Sequence, residues 1–216
     1  MKDRVGLLGG TFNPVHLGHV DLGVKIQAAF SLQRVLYILS ARPPHKEGTE
    51  IVPAPLRLRM LSEALASHPQ LVPSDIEMKR HSYSWTYLTM NELRRIYPGD
   101  SFYFISGSEG FLKIRTWKNY KELLDTLSFI VVLRKAGHKE KVSNLLREEG
   151  VEPCFDMEVR AETPMIYIYT YESDKLFISS TLIRKRRKLS ADIDLLVHPE
   201  VKKIILENRL YEERGI

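Results

Sequence analysis

The chain has 216 residues, with 44% hydrophobic and 27% charged side chains and a formal net charge of +5 from 32 Lys and Arg against 27 Asp and Glu. That is ordinary globular usage, enough to bury a core, and no apolar run approaches the roughly 20 residues that a membrane span requires. The basic balance suits a phosphate-rich partner, either a nucleic acid or a small nucleotide. Residues 1–10 (MKDRVGLLGG) hold too short an apolar run for a secretory signal, so a cytoplasmic protein is expected. The single Cys154 lacks a partner for a disulfide or a metal pair.

In chain order, residues 5–9 form an apolar run ending in Gly9-Gly10, and after a loop residues 19–30 place Val20, Val24 and Ala28 on one helical face. Residues 34–39 (RVLYIL) predict a second buried strand, followed by residues 40–46, where two prolines forbid regular structure. Leu56, Met60, Leu61 and Leu65 repeat at helical spacing, as do Leu88, Leu93 and Ile96, and residues 101–105 (SFYFI) return to a strand pattern. Residues 127–133 (LSFIVVL) lack polar alternation and predict a strand buried on both faces. Residues 166–170 and 176–178 are expected to add strands, and helices are expected from Ser180 and over residues 199–208. The alternation predicts an α/β protein: a Rossmann-like open parallel sheet with helices on both faces, one domain over residues 1–216 with a helical part from about residue 180. In such sheets ligands bind beyond the carboxyl ends of the strands, which directs attention to the loops after the first two strands.

The first loop reads Gly9-Gly10-Thr11-Phe12-Asn13-Pro14-Val15-His16-Leu17-Gly18-His19. Its glycines permit close backbone approach, and a helix starting near His16 sets both histidines at an end where N–H groups and dipole favour an anion. Two histidines at this spacing also suit a metal, but no third soft ligand lies nearby and no metal site is expected. A turn merely shaped by glycine and proline is the plainer alternative for each of these residues taken singly.

The segment GGTFNPVHLGH resembles the signature of the adenylyltransferase superfamily with its T/H-x-G-H turn, here His16 to His19. The rest of the chain resembles the bacterial nicotinate mononucleotide adenylyltransferases through Pro43-Pro44-His45-Lys46, Ser82-Tyr83-Ser84, Trp117 and Ile178-Ser179-Ser180-Thr181-Leu182-Ile183-Arg184. The resemblance implies transfer of an adenylyl group from ATP, accompanied by Mg²⁺, to nicotinate mononucleotide in NAD biosynthesis, releasing pyrophosphate. It implies that His16, His19, Lys46 and Arg184 hold and neutralise the phosphates, and that Gly9, Gly10, Thr11, Phe12, Gly18, Gly107, Glu109, Ser179, Ser180 and Thr181 meet ATP. Asn13, Lys46, Tyr83, Ser84, Trp85 and Trp117 would meet the mononucleotide, with backbone N–H groups around Tyr83 to Trp85 on the pyridine carboxylate and Trp117 stacked on the ring. Three departures fall in the substrate half: Thr86 and Tyr87 stand where the family usually has an acid and a threonine, and Glu109 stands for an aspartate.

Each assignment has a plainer reading. Lys46 would be an exposed loop lysine, Ser179 to Thr181 and Ser82 to Ser84 helix caps, and Trp117 a core aromatic. A sister transferase for nicotinamide mononucleotide or phosphopantetheine would share the phosphate machinery. An RNA-binding module using the basic run from Arg184 to Lys188 and stacking Tyr167, Tyr169 and Tyr171 is the rival outside enzymology. A class I aminoacyl-tRNA synthetase fragment shares the His-x-Gly-His turn, but the chain is too short for that activity. Small-molecule partners are expected, without membrane; nucleic acid is disfavoured and homo-oligomerisation is left open.

Overall fold

The computed structural model describes residues 2–43, 51–80, 82–158 and 164–213. Seven strands, β1 (Arg4–Gly10), β2 (Arg34–Leu39), β3 (Leu71–Ser74), β4 (Ser101–Gly107), β5 (Ser128–Leu133), β6 (Pro153–Cys154) and β7 (Ile166–Thr170), form one sheet in the order β3-β2-β1-β4-β5-β7-β6. Every pairing is parallel. The α-helices among the described residues are α1 (Leu17–Ala29), α2 (Ala54–Leu65), α3 (Thr86–Ile96), α4 (Ser108–Phe111), α5 (Tyr120–Thr126), α6 (His138–Glu148), α7 (Ser180–Lys188) and α8 (Pro199–Glu207). Among the described residues no helix is long and apolar enough to cross a membrane.

Two cores flank the sheet, as the apolar runs of the strands require. On one side Ile26 of α1, Met60 and Leu61 of α2, Ile183 of α7 and Ile205 of α8 pack against Val35, Tyr37 and Ile130. On the other, Met90 and Leu93 of α3, Phe111 of α4, Leu124 of α5 and Leu146 of α6 pack against Leu7, Phe129 and Val131. The chain leaves β1 toward β2 and β3 in one direction and passes to β4 and β5 in the other, so the sheet's reversal of order lies between β1 and β4.

Three details differ from expectation. Helix α1 buries Val20, Gly23 and Ile26, while Val24 and Ala28 face outward. The reason is Gly23, which an apolar count ignores: a Cβ there would stand 2.0 Å from the Tyr37 hydroxyl, and that hydroxyl donates to the His19 carbonyl at 2.8 Å. Residues 176–178 are no strand. They close a turn, with Leu176 N–H on the Ser173 carbonyl and Ile178 N–H on that of Lys175, and Leu176 and Phe177 stand in solvent. Strands β3 and β6, short and proline-bearing, gave no apolar run to read.

Candidate active site

A cleft of about 400 Å³ opens at the reversal of strand order. Gly9, Gly10 and Thr11 at the end of β1, Ser40 just after β2, Ser106 and Gly107 of β4 and Arg134 just after β5 line it, as do His19, Ser84, Glu109 and Trp117. A second lobe of about 320 Å³ shares Ser40, Ser84, Thr86, Gly110 and Trp117 and adds Trp85, Lys113 and Lys118.

The two histidines occupy different environments. His16 sits at the N-cap of α1, buried, its ring stacked on that of His19 at 3.6 Å between centroids. Burial, helped by the charge of Arg134, pushes its imidazole down to about 3, so it is neutral at physiological pH. Its Nδ1 is buried without a hydrogen-bond partner among the described residues. His16 N–H donates to His19 Nδ1 at 3.2 Å. A ring nitrogen that accepts a backbone N–H carries no proton, which assigns the proton of a neutral His19 to Nε2 and makes this cleft-lining imidazole an N–H donor. The helix end itself is partly occupied: Leu17 N–H donates to the Leu196 carbonyl and His19 N–H to that of His16, both at 2.9 Å.

The first loop is clamped from several directions. Arg57 of α2, 1% exposed, donates Nη1 to the carbonyls of Thr11 (2.6 Å) and Ser40 (2.9 Å), Nη2 to that of Ala41 (3.2 Å) and Nε to that of Val52 (2.7 Å). One guanidinium thus ties the loop after β1 to the loop after β2. Asn13 is buried, its side-chain oxygen accepting from Val52 N–H (3.2 Å) and the Tyr211 hydroxyl (2.8 Å). Phe12, at φ +46°, is buried edge-on to His19, and Gly18 packs against the Lys175 carbonyl.

Helix α7 abuts this loop rather than the cleft floor. Ser179 caps it by accepting from Leu182 N–H at 3.1 Å; the Ser180 hydroxyl donates to the Pro14 carbonyl at 2.8 Å, and Arg184 donates to the Asn13 carbonyl at 2.8 Å and to the Thr181 hydroxyl at 3.2 Å. Within the basic run, Arg187 pairs with Glu212 and Arg186 with the Asp192 carbonyl, so these two charges brace the C-terminal segment.

Before α3, Ser84 N–H donates to the Arg42 carbonyl at 3.0 Å, Arg42 N–H to the Ser84 hydroxyl at 3.2 Å, and Trp85 N–H to the Tyr83 carbonyl at 2.9 Å. Two backbone donors expected to read a carboxylate are therefore occupied in this structure. Tyr83 is exposed, and Trp117 packs edge-on to Phe104 at 5.7 Å while lining both lobes. Glu109 meets Arg134 at 3.3 Å and Lys135 at 3.5 Å. Burial alone would raise its carboxyl, but its own backbone N–H and those two cations hold it below the usual range. Lys46 lies outside the described residues, as do Pro44 and His45.

Sequence reasoning passed over Arg57, Arg134 and Glu77. Arg57 shares a helical stripe with Leu61 and Ala64, a cation on a buried face, and Arg134 follows directly on the most apolar strand; both were readable signals. Glu77 is buried at the cleft with its carboxylate accepting from the Thr89 hydroxyl at 2.5 Å, and burial raises its proton affinity. Among the described residues no group of three or more His, Cys, Asp or Glu could hold a metal ion.

The sequence matches the cytidylyltransferase-like family over residues 7–186. A probable nicotinate-nucleotide adenylyltransferase of Geobacter metallireducens is 34% identical over 213 residues, 96% of this chain and 98% of the relative. One from Moorella thermoacetica is 36% identical over 212 residues, 98% and 93% of the two chains. The fold is shared with a Plasmodium falciparum nicotinic acid mononucleotide adenylyltransferase complexed with NaAD, at a TM-score of 0.75 and 19% identity over 97% of each chain. By its family match and its full-length relatives the chain belongs to the cytidylyltransferase-like family, among the nicotinate-nucleotide adenylyltransferases.

Proposed function

We propose that the two-lobed cleft joins ATP to nicotinate mononucleotide, giving nicotinate adenine dinucleotide and pyrophosphate, the whole chain acting as one nucleotidyltransferase unit in the cytoplasm. The observation that carries the reading is the meeting of Gly9, Gly10, Thr11, His19, Gly107 and Glu109 with Ser84 and Trp117 around one cleft. A phosphate oxygen of the mononucleotide attacks the α-phosphorus of ATP; the bond from that phosphorus to the bridging oxygen breaks, and pyrophosphate leaves with the electron pair. No protein nucleophile is needed, so the protein's part is to position the phosphates and balance their charge.

His19 donates its Nε2 proton to the phosphates, Arg134 supplies a fixed cation at the end of β5, and Lys46 and Arg184 add charge from the second loop and from α7. Arg57, Asn13 and Ser180 hold the first loop in shape for them. Mg²⁺ would enter as part of the MgATP substrate and would supply neutralisation of phosphate charge, while Glu77 is buried and Glu109 is paired with Arg134.

The test is pyrophosphate release from MgATP with nicotinate mononucleotide, nicotinamide mononucleotide and phosphopantetheine offered separately. Preference for nicotinate mononucleotide is expected. Preference for another acceptor would keep the phosphate chemistry and overturn the acceptor, and no release with any would remove the activity.

A further inference from the structure

The second lobe has a charge pattern that the phosphate cleft lacks. Its lining contains two aromatic side chains, Trp85 and Trp117, and two cations, Lys113 and Lys118, with no acid, whereas Glu77 and Glu109 both face the first lobe. The Lys118 ammonium stands 5.9 Å from the centroid of the Trp85 ring and 5.7 Å from that of Tyr87, which fixes it across the mouth of the lobe between the segment before α3 and the turn after Trp117. Neither ammonium is paired with a carboxylate among the described residues. Two backbone donors of the lobe's lining are occupied, Ser84 N–H by the Arg42 carbonyl and Trp85 N–H by the Tyr83 carbonyl.

We propose that Lys118, with Lys113 behind it, reads the carboxylate of the acceptor's pyridine ring and sets the preference for an acid over an amide. The inference rests on the assignment of this lobe to the acceptor.

The chemistry supports discrimination in both directions. Either acceptor carries a positively charged pyridinium. A carboxylate on the ring neutralises that charge and offers oxygens to an ammonium. A carboxamide leaves the ring cationic, so it meets two lysines with net repulsion and gains only a weaker neutral hydrogen bond. Tyr87, one of the departures from the family pattern, then has a use: it supplies one of the two rings that hold Lys118 in place.

The experiment measures kcat/KM for nicotinate and nicotinamide mononucleotides in the wild type, Lys118→Gln, Lys118→Arg and the Lys113→Gln/Lys118→Gln double variant. Lys118→Gln is expected to lower kcat/KM for the acid about tenfold more than for the amide, the double variant further, and Lys118→Arg is expected to keep most of the preference. Both lysines are exposed, so folding is not at stake. Equal losses for the two acceptors, or an unchanged ratio, would overturn the inference while leaving the enzyme's reaction standing. A wild-type enzyme that uses neither pyridine acceptor would instead refute the assignment of the lobe, and this inference with it.

Discussion

Replacing Arg57 by methionine keeps much of its length and apolar stem but removes every donor. Four carbonyls, those of Thr11, Ser40, Ala41 and Val52, then lose a charged partner in a region where the arginine itself is 1% exposed. A buried acceptor left unpaired, as at Val52, costs about 1–3 kcal/mol, the half-buried carbonyls of Thr11, Ser40 and Ala41 cost less because water reaches them, and relief from burying a cation offsets part of the sum. A net loss of about 4 kcal/mol is expected, which for a chain of this size lowers Tm by roughly 8–16 °C. Lysine, with one ammonium on a different stem, reaches fewer of the four and should fall between. Thermal melts followed by circular dichroism, alongside pyrophosphate release at a temperature where all variants are folded, separate stability from loop geometry. A methionine variant melting within about 3 °C of the wild type would refute the claim that this guanidinium holds the two loops.

Other outcomes follow from the same contacts. His19→Ala should lower kcat by two or more orders of magnitude with little change in Tm, roughly what loss of a preorganised donor to developing charge costs; near-normal turnover would remove His19 from the reaction. Arg134→Ala should raise KM for ATP by about tenfold, through loss of a charge-assisted contact; an unchanged KM would exclude Arg134 from phosphate binding. His16 resists protonation down to about 3 when folded but takes up a proton near 6.5 when unfolded, so acid favours the unfolded state and stability falls as pH drops through that window. The urea midpoint should therefore decrease from pH 7 to pH 5 more steeply in the wild type than in His16→Asn, and parallel decreases would contradict the buried, neutral imidazole. Gly23→Ala, whose Cβ would meet the Tyr37 hydroxyl at 2.0 Å, should cost about 1–3 kcal/mol, and Tyr37→Phe in the same chain should recover part of it.

The strands that lie in the middle of the sheet were legible because burial on two faces leaves an apolar run with no polar interruption, as in β5. Strands β3 and β6 have four and two residues, and no periodicity can be expressed over such lengths. Residues 176–178 show the converse error: three apolar residues in a row whose N–H groups at Leu176 and Ile178 close a local turn instead of pairing with a strand. That the loop after β1 lines the cleft was readable from its glycines and histidines, residue types whose chemistry is local. Arg57 shows itself as a cation on a buried helical face, but its partners do not, since they are main-chain carbonyls that carry no residue identity. Asn13, read as a contact for the mononucleotide, is bonded to Tyr211, 198 residues away, a relation that no local spacing can express.

That long connection bears on how the protein is made. The loop after β1 is translated within the first twenty residues, yet besides Val52 and Arg57 its braces come from Ser180, Arg184, Leu196 and Tyr211. A chain still emerging from the ribosome can pair β1 with β2 and then β4 and can set the Arg57 clamp, but its loop stays only partly braced until the segment around Tyr211 has cleared the exit tunnel. Nascent chains arrested before that point should fail to turn over ATP, and catalytic competence should appear late in synthesis, after most of the sheet has formed.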